Sequence, residues 1–128
     1  MTYSFAKSTA ISGVGTTYDV NKKAEITLSH SASKYFLSRL ASIQVYCTDI
    51  TSASTLSIKM TSGSNGDTIF LVDTAAELDF DLTTTDNGCA EFTIDSILYS
   101  PTEDFYIFIK LDSGTCDVSH VYVTFENP

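Results

Sequence analysis

Hydrophobic and polar residues alternate along most of the chain after residue 40, with the period of two that is typical of β-strands. The strongest stretch is 104–126, where two runs rich in aromatic and β-branched residues flank the polar segment 112–115. This pattern predicts a β-hairpin. The first run, residues 105–111, is apolar on nearly both faces, so we expect it in the middle of a sheet.

Other strands are expected about every 10 to 14 residues, with turn residues between them. The expected segments are 24–29, 42–47, 55–61, 68–72, 76–82 and 89–95. Tight turns are expected at Asn65-Gly66 and at 86–88. The prediction is an all-β fold: a single-domain antiparallel β-sandwich of jelly-roll type with about eight strands.

Two segments lack a steady alternation. Residues 1–23 contain Tyr3 and Phe5 in a polar context, which predicts either an edge strand followed by a loop or an arm that docks on a neighbour. Residues 24–128 then form the sandwich. Near 31–40 the apolar spacing, with Ser33 as a candidate N-cap, predicts a short helix or an irregular link.

Composition and charge narrow the class of protein. The chain has 128 residues, of which 43% are hydrophobic, as expected for one globular domain. Sixteen acidic and seven basic residues give a net charge of −9, so neither nucleic acid nor an anionic membrane is an expected partner. Without an apolar leader the chain is expected to fold where it is made. Cys47, Cys89 and Cys116 are expected to be small core residues with reduced thiols.

Residues that could perform catalysis are few. His30 and His120 are the only histidines, and the first is expected in a loop and the second on the polar face of a strand. There is no Gly-x-Ser-x-Gly sequence, no zinc-ligand spacing and no glycine-rich phosphate loop. We therefore predict that the chain is not an enzyme and that it has no catalytic residue, cofactor or metal ligand set.

An acidic stripe is expected on one strand face, formed by Glu77, Asp79 and Asp81. If 86–88 closes a hairpin, Glu91 and also Asp95 could face this stripe, and like charges in such positions destabilise a sheet. Calcium, a basic partner or plain solvent could each balance these carboxylates. Calcium is the least suited, because side chains about 7 Å apart along a strand are too sparse for a cation cage.

Four aromatic residues fall on the faces opposite their strands' clearest apolar sets: Tyr46, Tyr106, Phe108 and Tyr122. Exposed together, they would form a platform for sugars or for a partner protein. They could equally pack beneath other parts of the fold. The candidate partner contacts are Tyr3, Phe5, Tyr106, Phe108 and Tyr122.

Two longer segments, 56–73 and 105–126, resemble small β-sandwich virion proteins of tailed bacteriophages, particularly those that infect marine and cyanobacterial hosts. The similar motifs are a Gly-Asp-Thr strand start at 66–68, Tyr-x-Phe-x-Lys-x-Asp-Ser-Gly-Thr at 106–115 and a terminal Val-Thr-Phe-Glu at 123–126. The resemblance covers about half of the chain and none of its N-terminal third.

This resemblance implies a non-enzymatic structural subunit of the virion, assembled in the host cytoplasm. A capsid decoration (cement) protein is the first expectation: it would bind the outside of the capsid, often as a trimer, and stabilise contacts between major capsid proteins. Another virion role, in the tail, the head–tail connector or the fibre base, is an alternative. A carbohydrate-binding jelly-roll module that uses exposed tyrosines is an alternative of a different class.

Overall fold

A computed structural model describes residues 2–26, 39–61, 77–94 and 105–127. Nine strands form within these ranges. They are β1 (Thr2–Lys7), β2 (Ile11–Val14), β3 (Lys23–Ile26), β4 (Arg39–Ile50), β5 (Ser54–Thr61), β6 (Leu78–Leu82), β7 (Asp86–Thr93), β8 (Phe105–Leu111) and β9 (Cys116–Asn127). The described ranges contain no helix, and hence none long and apolar enough to cross a membrane.

The strands form two antiparallel sheets. One has the order β1-β9-β4-β7, with β2 also paired to β9, and the other has the order β3-β8-β5-β6. Among the described strands, β5 and β6 are the one consecutive pair that is directly hydrogen-bonded. Strands β1 and β2 both pair with β9, and each remaining link passes from one sheet to the other. Two packed antiparallel sheets joined by crossings of this kind are typical of a jelly roll, so the predicted fold class is confirmed.

The core lies between the sheets and is built from alternate residues of the central strands. In β8 the inward residues Phe105, Ile107, Ile109 and Leu111 are all buried, and β8 lies between β3 and β5 as expected. The facing sheet contributes buried residues from β4 and β9: Ile43, Val45, Cys47, Val118, Val121, Val123 and Phe125. Phe105 and Phe125 meet edge to face with ring centroids 6.4 Å apart, which joins the two layers.

The hairpin predicted for 104–126 is wrong. Strands β8 and β9 belong to different sheets, and residues 112–115 carry the chain across the end of the sandwich. Both strands are central, so each already has partners on both sides in its own sheet. A short polar loop with a glycine suits a hairpin and an inter-sheet crossing alike, and pairing with distant strands determines which of them forms.

The tight turn predicted at 86–88 is also wrong, because these residues begin β7. Asp86 lies opposite Ile50, and Gly88 lies opposite Cys47, with a register shift between the two pairs. Asp86 has a φ of 69°, a backbone conformation that is common in turns. Here this conformation occurs at the irregular position in the pairing of β4 with β7. Strands β6 and β7 are in different sheets, and Glu91 therefore lies opposite Gln44 of β4 and not beside the acidic stripe.

Several of the remaining predictions concern residues outside the described ranges. The helix or irregular link near 31–40 lies outside the described residues except at 39 and 40, which begin β4. The strand at 68–72, the Asn65-Gly66 turn and His30 also lie outside them. Among the three cysteines, all free, Cys47 and Cys116 are buried in the core as expected, whereas Cys89 is half-buried.

The N-terminal segment contributes two strands to the five-stranded sheet. Residues 2–7 pair with 122–127 of β9, and β2 pairs with the beginning of the same strand. Between them, the backbone N–H of Ser8 donates to the carbonyl oxygen of Val121, and the N–H of Val121 donates to Ser8 Oγ, both at 2.9 Å. The last strand of the chain is thereby held by the first two.

Candidate functional site

Each sheet has an outer face turned away from the core. We call the outer face of the five-stranded sheet around Tyr46 and His120 the tyrosine face. The outer face of the four-stranded sheet around Phe108 is called the lysine face. The aromatic residues singled out from the sequence are divided between them: Tyr46 and Tyr122 belong to the tyrosine face, Tyr106 and Phe108 to the lysine face. A single platform made of all four does not form.

The tyrosine face has an aromatic pair at its centre. Tyr46 and His120 lie opposite each other on β4 and β9, and their rings stack with centroids 4.3 Å apart and planes inclined by 26°. The Tyr46 hydroxyl donates to Gln44 Oε1 at 2.9 Å. Ser119 Oγ donates to the carbonyl oxygen of Tyr46 at 3.2 Å. His120 thus lies on the polar face of its strand, as expected, and both rings are half-buried.

Polar side chains continue this face across the sheet. The register places Lys7, Tyr122, Gln44 and Glu91 in one row over β1, β9, β4 and β7. This row brings an ammonium, a phenol, an amide and a carboxylate together beside the stacked rings. Amide and carboxylate groups next to aromatic rings can hydrogen-bond to the hydroxyls of a polyhydroxylated ligand while the rings contact its apolar surface.

The lysine face is organised around Phe108. Lys23 of β3 and Lys59 of β5 lie opposite Phe108 on either side, with their ammonium nitrogens 5.7 Å and 5.2 Å from its ring centroid. Lys23 Nζ is also 5.3 Å from the ring centroid of Tyr106. Phe108 is only 1% exposed although it points away from the main core. Lysine stems contribute to this cover, because long charged side chains can bury their methylenes and keep the head in water.

Tyr18, in the link between β2 and β3, lies across the lysine face. Lys59 Nζ and Lys110 Nζ are 4.8 Å and 5.0 Å from its ring centroid. Its hydroxyl donates to Glu77 Oε2 at 2.6 Å, and that oxygen is 3.9 Å from Lys110 Nζ. Burial, the hydrogen bond to Glu77 and the negative charges of Glu77 and Asp79 together raise the pKa of Tyr18 well above its usual range. The sequence gives no signal for this role, because a lone tyrosine in an irregular link shows no periodicity.

The acidic stripe is bound by hydroxyl groups of the neighbouring strand. Ser57 Oγ donates to Asp79 Oδ1 at 2.6 Å, and Thr55 Oγ1 donates to Asp81 Oδ1 at 3.0 Å. Glu77 accepts the Tyr18 hydroxyl. Within the described ranges, no group of three histidine, cysteine or acidic residues is arranged to hold a metal ion. The expectation that Glu91 faces the stripe is wrong, since β7 lies in the other sheet.

An open cleft of about 420 Å³ lies at one end of the sandwich. It is lined by residues of three segments: 53–55, 81–83 and 112–113. Its polar groups are the carboxylates of Asp81 and Asp112 and several serine and threonine hydroxyls. Ser54 Oγ is buried without a hydrogen-bond partner. No histidine or cysteine lines this cleft.

The five candidate partner contacts do not share one surface. In the register of β1 with β9, Tyr3 lies opposite Glu126 and Phe5 opposite Thr124. Tyr122 is half-buried on the tyrosine face, and Tyr106 is half-buried on the lysine face. Phe108 is beneath the lysines, so a partner could reach its ring only after those side chains moved. Contact between these residues and a partner stays a prediction.

The sandwich is similar to known carbohydrate-binding modules. A module from the family 9 glycoside hydrolase Cel9A of Ruminococcus flavefaciens FD-1 is 12% identical with a TM-score of 0.50, and the match covers 94% of this chain and 99% of the module. The xylan-binding module CBM15 is 13% identical with a TM-score of 0.50, over 96% of this chain and 91% of that module.

The coat protein of Tobacco streak virus is 14% identical with a TM-score of 0.44, over 99% of this chain and 85% of the coat protein. No family model matches the chain, and no curated protein matches its sequence. At these identities the two modules above show the fold alone, and function has to be argued from the surface.

Proposed function

We propose that this chain is a non-enzymatic structural protein of a phage virion, and that it decorates the outside of the capsid. The observation that carries the proposal is where the phage-like segments lie in the fold. Residues 56–61, 105–111 and 116–126 belong to β5, β8 and β9, which are central strands of the two sheets. The resemblance therefore concerns the framework of the sandwich, and jelly rolls are a recurrent architecture of capsid proteins.

In this role the major capsid protein is the partner, and the subunit acts as a homotrimer at the junction between capsid proteins. Its net charge of −9 keeps free copies from aggregating during assembly in the host cytoplasm. Other virion positions, in the tail, connector or fibre base, use the same chemistry and differ only in the partner.

Sedimentation with undecorated capsids tests the proposal directly. The capsids are assembled from the major capsid protein of the phage that carries the gene of this chain, and binding is measured with labelled protein. Saturable co-sedimentation that unlabelled protein competes away is the expected result, together with a trimer in light scattering. Failure to co-sediment at saturating concentration would falsify the decoration role, and binding to isolated tails instead would assign another virion position.

A second candidate function, saccharide binding, is favoured by one specific arrangement on the tyrosine face. Stacked Tyr46 and His120 lie beside Gln44, Glu91 and Tyr122, which combines aromatic surface with hydrogen-bonding groups. A glycan array followed by calorimetry on each hit tests this function. Tyr46→Ala should abolish binding of a true ligand, whereas Tyr106→Ala on the other sheet should not. An array without hits removes this candidate.

A further inference from the structure

The thiols of Cys47 and Cys116 meet inside the core. Cys47 lies on β4 and Cys116 begins β9, and these two strands are neighbours in the five-stranded sheet. Cys47 is paired with Val118, so Cys116 lies diagonally across from it on the same inward side. A side-chain hydrogen bond joins the two thiols, and the two residues are only 3% and 2% exposed. The sulfur atoms are therefore in contact in the reduced protein.

Cys89 faces away from this pair. It lies opposite Tyr46 on β7, next to the buried Ala90, and so points to the tyrosine face. It is half-buried, and its thiol donates to the carbonyl oxygen of Ala90 at 3.9 Å. Three cysteines allow three disulfide pairings, and the fold favours one of them, Cys47 with Cys116.

The contact makes the two thiols chemically unequal. The hydrogen bond from Cys47 lowers the pKa of Cys116, although burial opposes this effect. The same hydrogen bond, together with burial, raises the pKa of Cys47 well above its usual range. A thiolate is the nucleophile in disulfide chemistry, so Cys116 is the attacking group and Cys47 keeps its proton until the second step.

The surroundings of the pair admit a small oxidant and a small backbone adjustment. Cys116 is paired with Val14 of β2, a strand of four residues that among the described strands pairs with β9 alone. Short strands at the edge of a sheet open locally at low cost. Diagonal neighbours in a sheet lie about 7 to 8 Å apart at Cα, and a disulfide spans up to about 6.8 Å. Asp49, two residues beyond Cys47, has a φ of 51°, and this irregular backbone can absorb the difference of about 1 Å.

We infer that the folded protein forms a Cys47–Cys116 disulfide when it meets a small oxidant, and that this bond joins β9 to β4 beside the crossing at 112–115. With a diazene, the Cys116 thiolate attacks one nitrogen of the N=N bond, and the other nitrogen takes up a proton. Cys47 then attacks the Cys116 sulfur: the S–S bond forms, the S–N bond breaks, and the departing nitrogen takes the Cys47 proton. Two thiols are oxidised, and the diazene is reduced to a hydrazine.

This bond makes the stability of the protein depend on its surroundings. In a reducing cytoplasm the thiols stay free, and in an oxidising medium the bond closes a loop of chain from residue 47 to residue 116. A crosslink of this kind restricts the unfolded chain, so the oxidised protein should unfold at a higher urea concentration than the reduced protein. The inference does not depend on the proposed function, because it concerns the core and can be tested on the isolated chain.

The experiment treats the complete, reduced chain at low concentration with diamide, a diazene, and then alkylates the remaining thiols in denaturant. Mass spectrometry should count one alkyl group in place of three, because Cys89 alone stays free. Trypsin cuts after lysine and arginine, so each cysteine falls in its own peptide: 40–59, 60–110 or 111–128. The expected product is peptide 40–59 joined to peptide 111–128, and a reductant should separate them. Three alkyl groups, or a bond to peptide 60–110 in its place, would overturn the inference.

Two matched variants test the pairing. Cys89→Ser should form the same bond and leave no free thiol, whereas Cys47→Ala removes half of the pair and should keep two free thiols and an unchanged urea midpoint after diamide. If Cys47→Ala does not fold, the peptide map of the wild type decides. An oxidised wild type that unfolds at a lower urea concentration than the reduced protein would show that the bond does not fit the folded core, and would overturn the inference.

The same reaction in concentrated urea shows whether the fold directs the pairing. In an unfolded chain, loop closure favours the two cysteines that are closest in sequence, Cys89 and Cys116. We therefore expect peptide 60–110 joined to peptide 111–128 as the main product in urea, and peptide 40–59 joined to peptide 111–128 in the folded protein. Identical products in the two conditions would show that the contact in the core does not direct the bond, and the inference would be wrong.

Discussion

Thr51 and Thr115 bind each other through three hydrogen bonds at one end of the sandwich. The backbone N–H of Thr51 donates to the carbonyl oxygen of Thr115 at 3.0 Å, the N–H of Thr115 donates to Thr51 Oγ1 at 2.9 Å, and Thr51 Oγ1 donates to the same carbonyl oxygen at 3.3 Å. One residue belongs to the link from β4 to β5 and the other to the link from β8 to β9. Both links cross between the sheets, so this contact holds two crossings together.

Gly114 is required for that contact, and Gly114→Ala should destabilise the protein. Gly114 has a φ of 76°, and a Cβ placed there would be 2.7 Å from Thr51 Oγ1. The left-handed backbone costs a side chain about 1 to 2 kcal/mol, and the clash adds to this cost. Urea denaturation should therefore show a free energy of unfolding lower by at least about 1 kcal/mol.

Gly15→Ala is the matched control, because a Cβ at Gly15 would meet nothing within 4 Å. This variant should be neutral within about 0.5 kcal/mol. Equal stability of the two variants would show that the crossing tolerates a side chain and that the Thr51–Thr115 contact adjusts to it.

The same crossing shows how far the sequence predicts this fold. Alternation identified the described strands after residue 40 and the buried face of β8 correctly: Phe105, Ile107, Ile109 and Leu111 are all in the core. It could not identify which strands pair, because period two is the same in a hairpin and in a jelly-roll crossing. Pairing depends on contacts between distant strands, such as β8 with β3 and β5, and these leave no local pattern.

The surface was less predictable than the core. Alternation places Tyr46, His120 and Phe108 on the polar faces of their strands. The row formed by Lys23, Phe108 and Lys59, however, depends on the register of three strands. The cover provided by Tyr18 comes from an irregular link. Phe108 is consequently buried on the outer face of its sheet, which a simple two-layer sandwich would leave exposed to solvent.

Phe108→Ala should destabilise the protein by about 3 to 5 kcal/mol, which is the usual cost of truncating a buried phenylalanine. Phe108→Leu should cost less than about 1.5 kcal/mol, because it preserves most of the volume. Urea denaturation of both variants measures this difference. If Phe108→Ala cost no more than Tyr106→Ala, whose ring is half-buried, the ring would not be packed in solution and would be available to a partner.

Ser8→Ala should weaken the attachment of the N-terminal segment to β9. The hydroxyl of Ser8, a residue only 6% exposed, accepts the N–H of Val121, and removing it leaves a buried donor unpaired at a cost of about 1 to 3 kcal/mol. Ser12→Ala, at an exposed serine of β2, is the control and should be nearly neutral. Hydrogen exchange should show faster exchange of the Val121 amide in Ser8→Ala alone. Unchanged exchange would mean that Ser8 does not protect this amide.

Tyr18→Phe should change how stability depends on alkaline pH. Burial, followed by the bond to Glu77, raises the pKa of Tyr18 in the folded protein above its value of about 10 in the unfolded chain. Stability from this shift is therefore fully present below about pH 10 and is lost as the pH rises toward the folded pKa. Tyr18→Phe lacks this titration, so the stability advantage of the wild type should be constant from about pH 8 to about pH 9 and should shrink above about pH 10. The urea midpoints of the two proteins are compared at each pH, so that the effects of all other titrating groups cancel in the difference. A difference that stays constant above about pH 10 would show that the Tyr18 hydroxyl is solvated and does not bind Glu77.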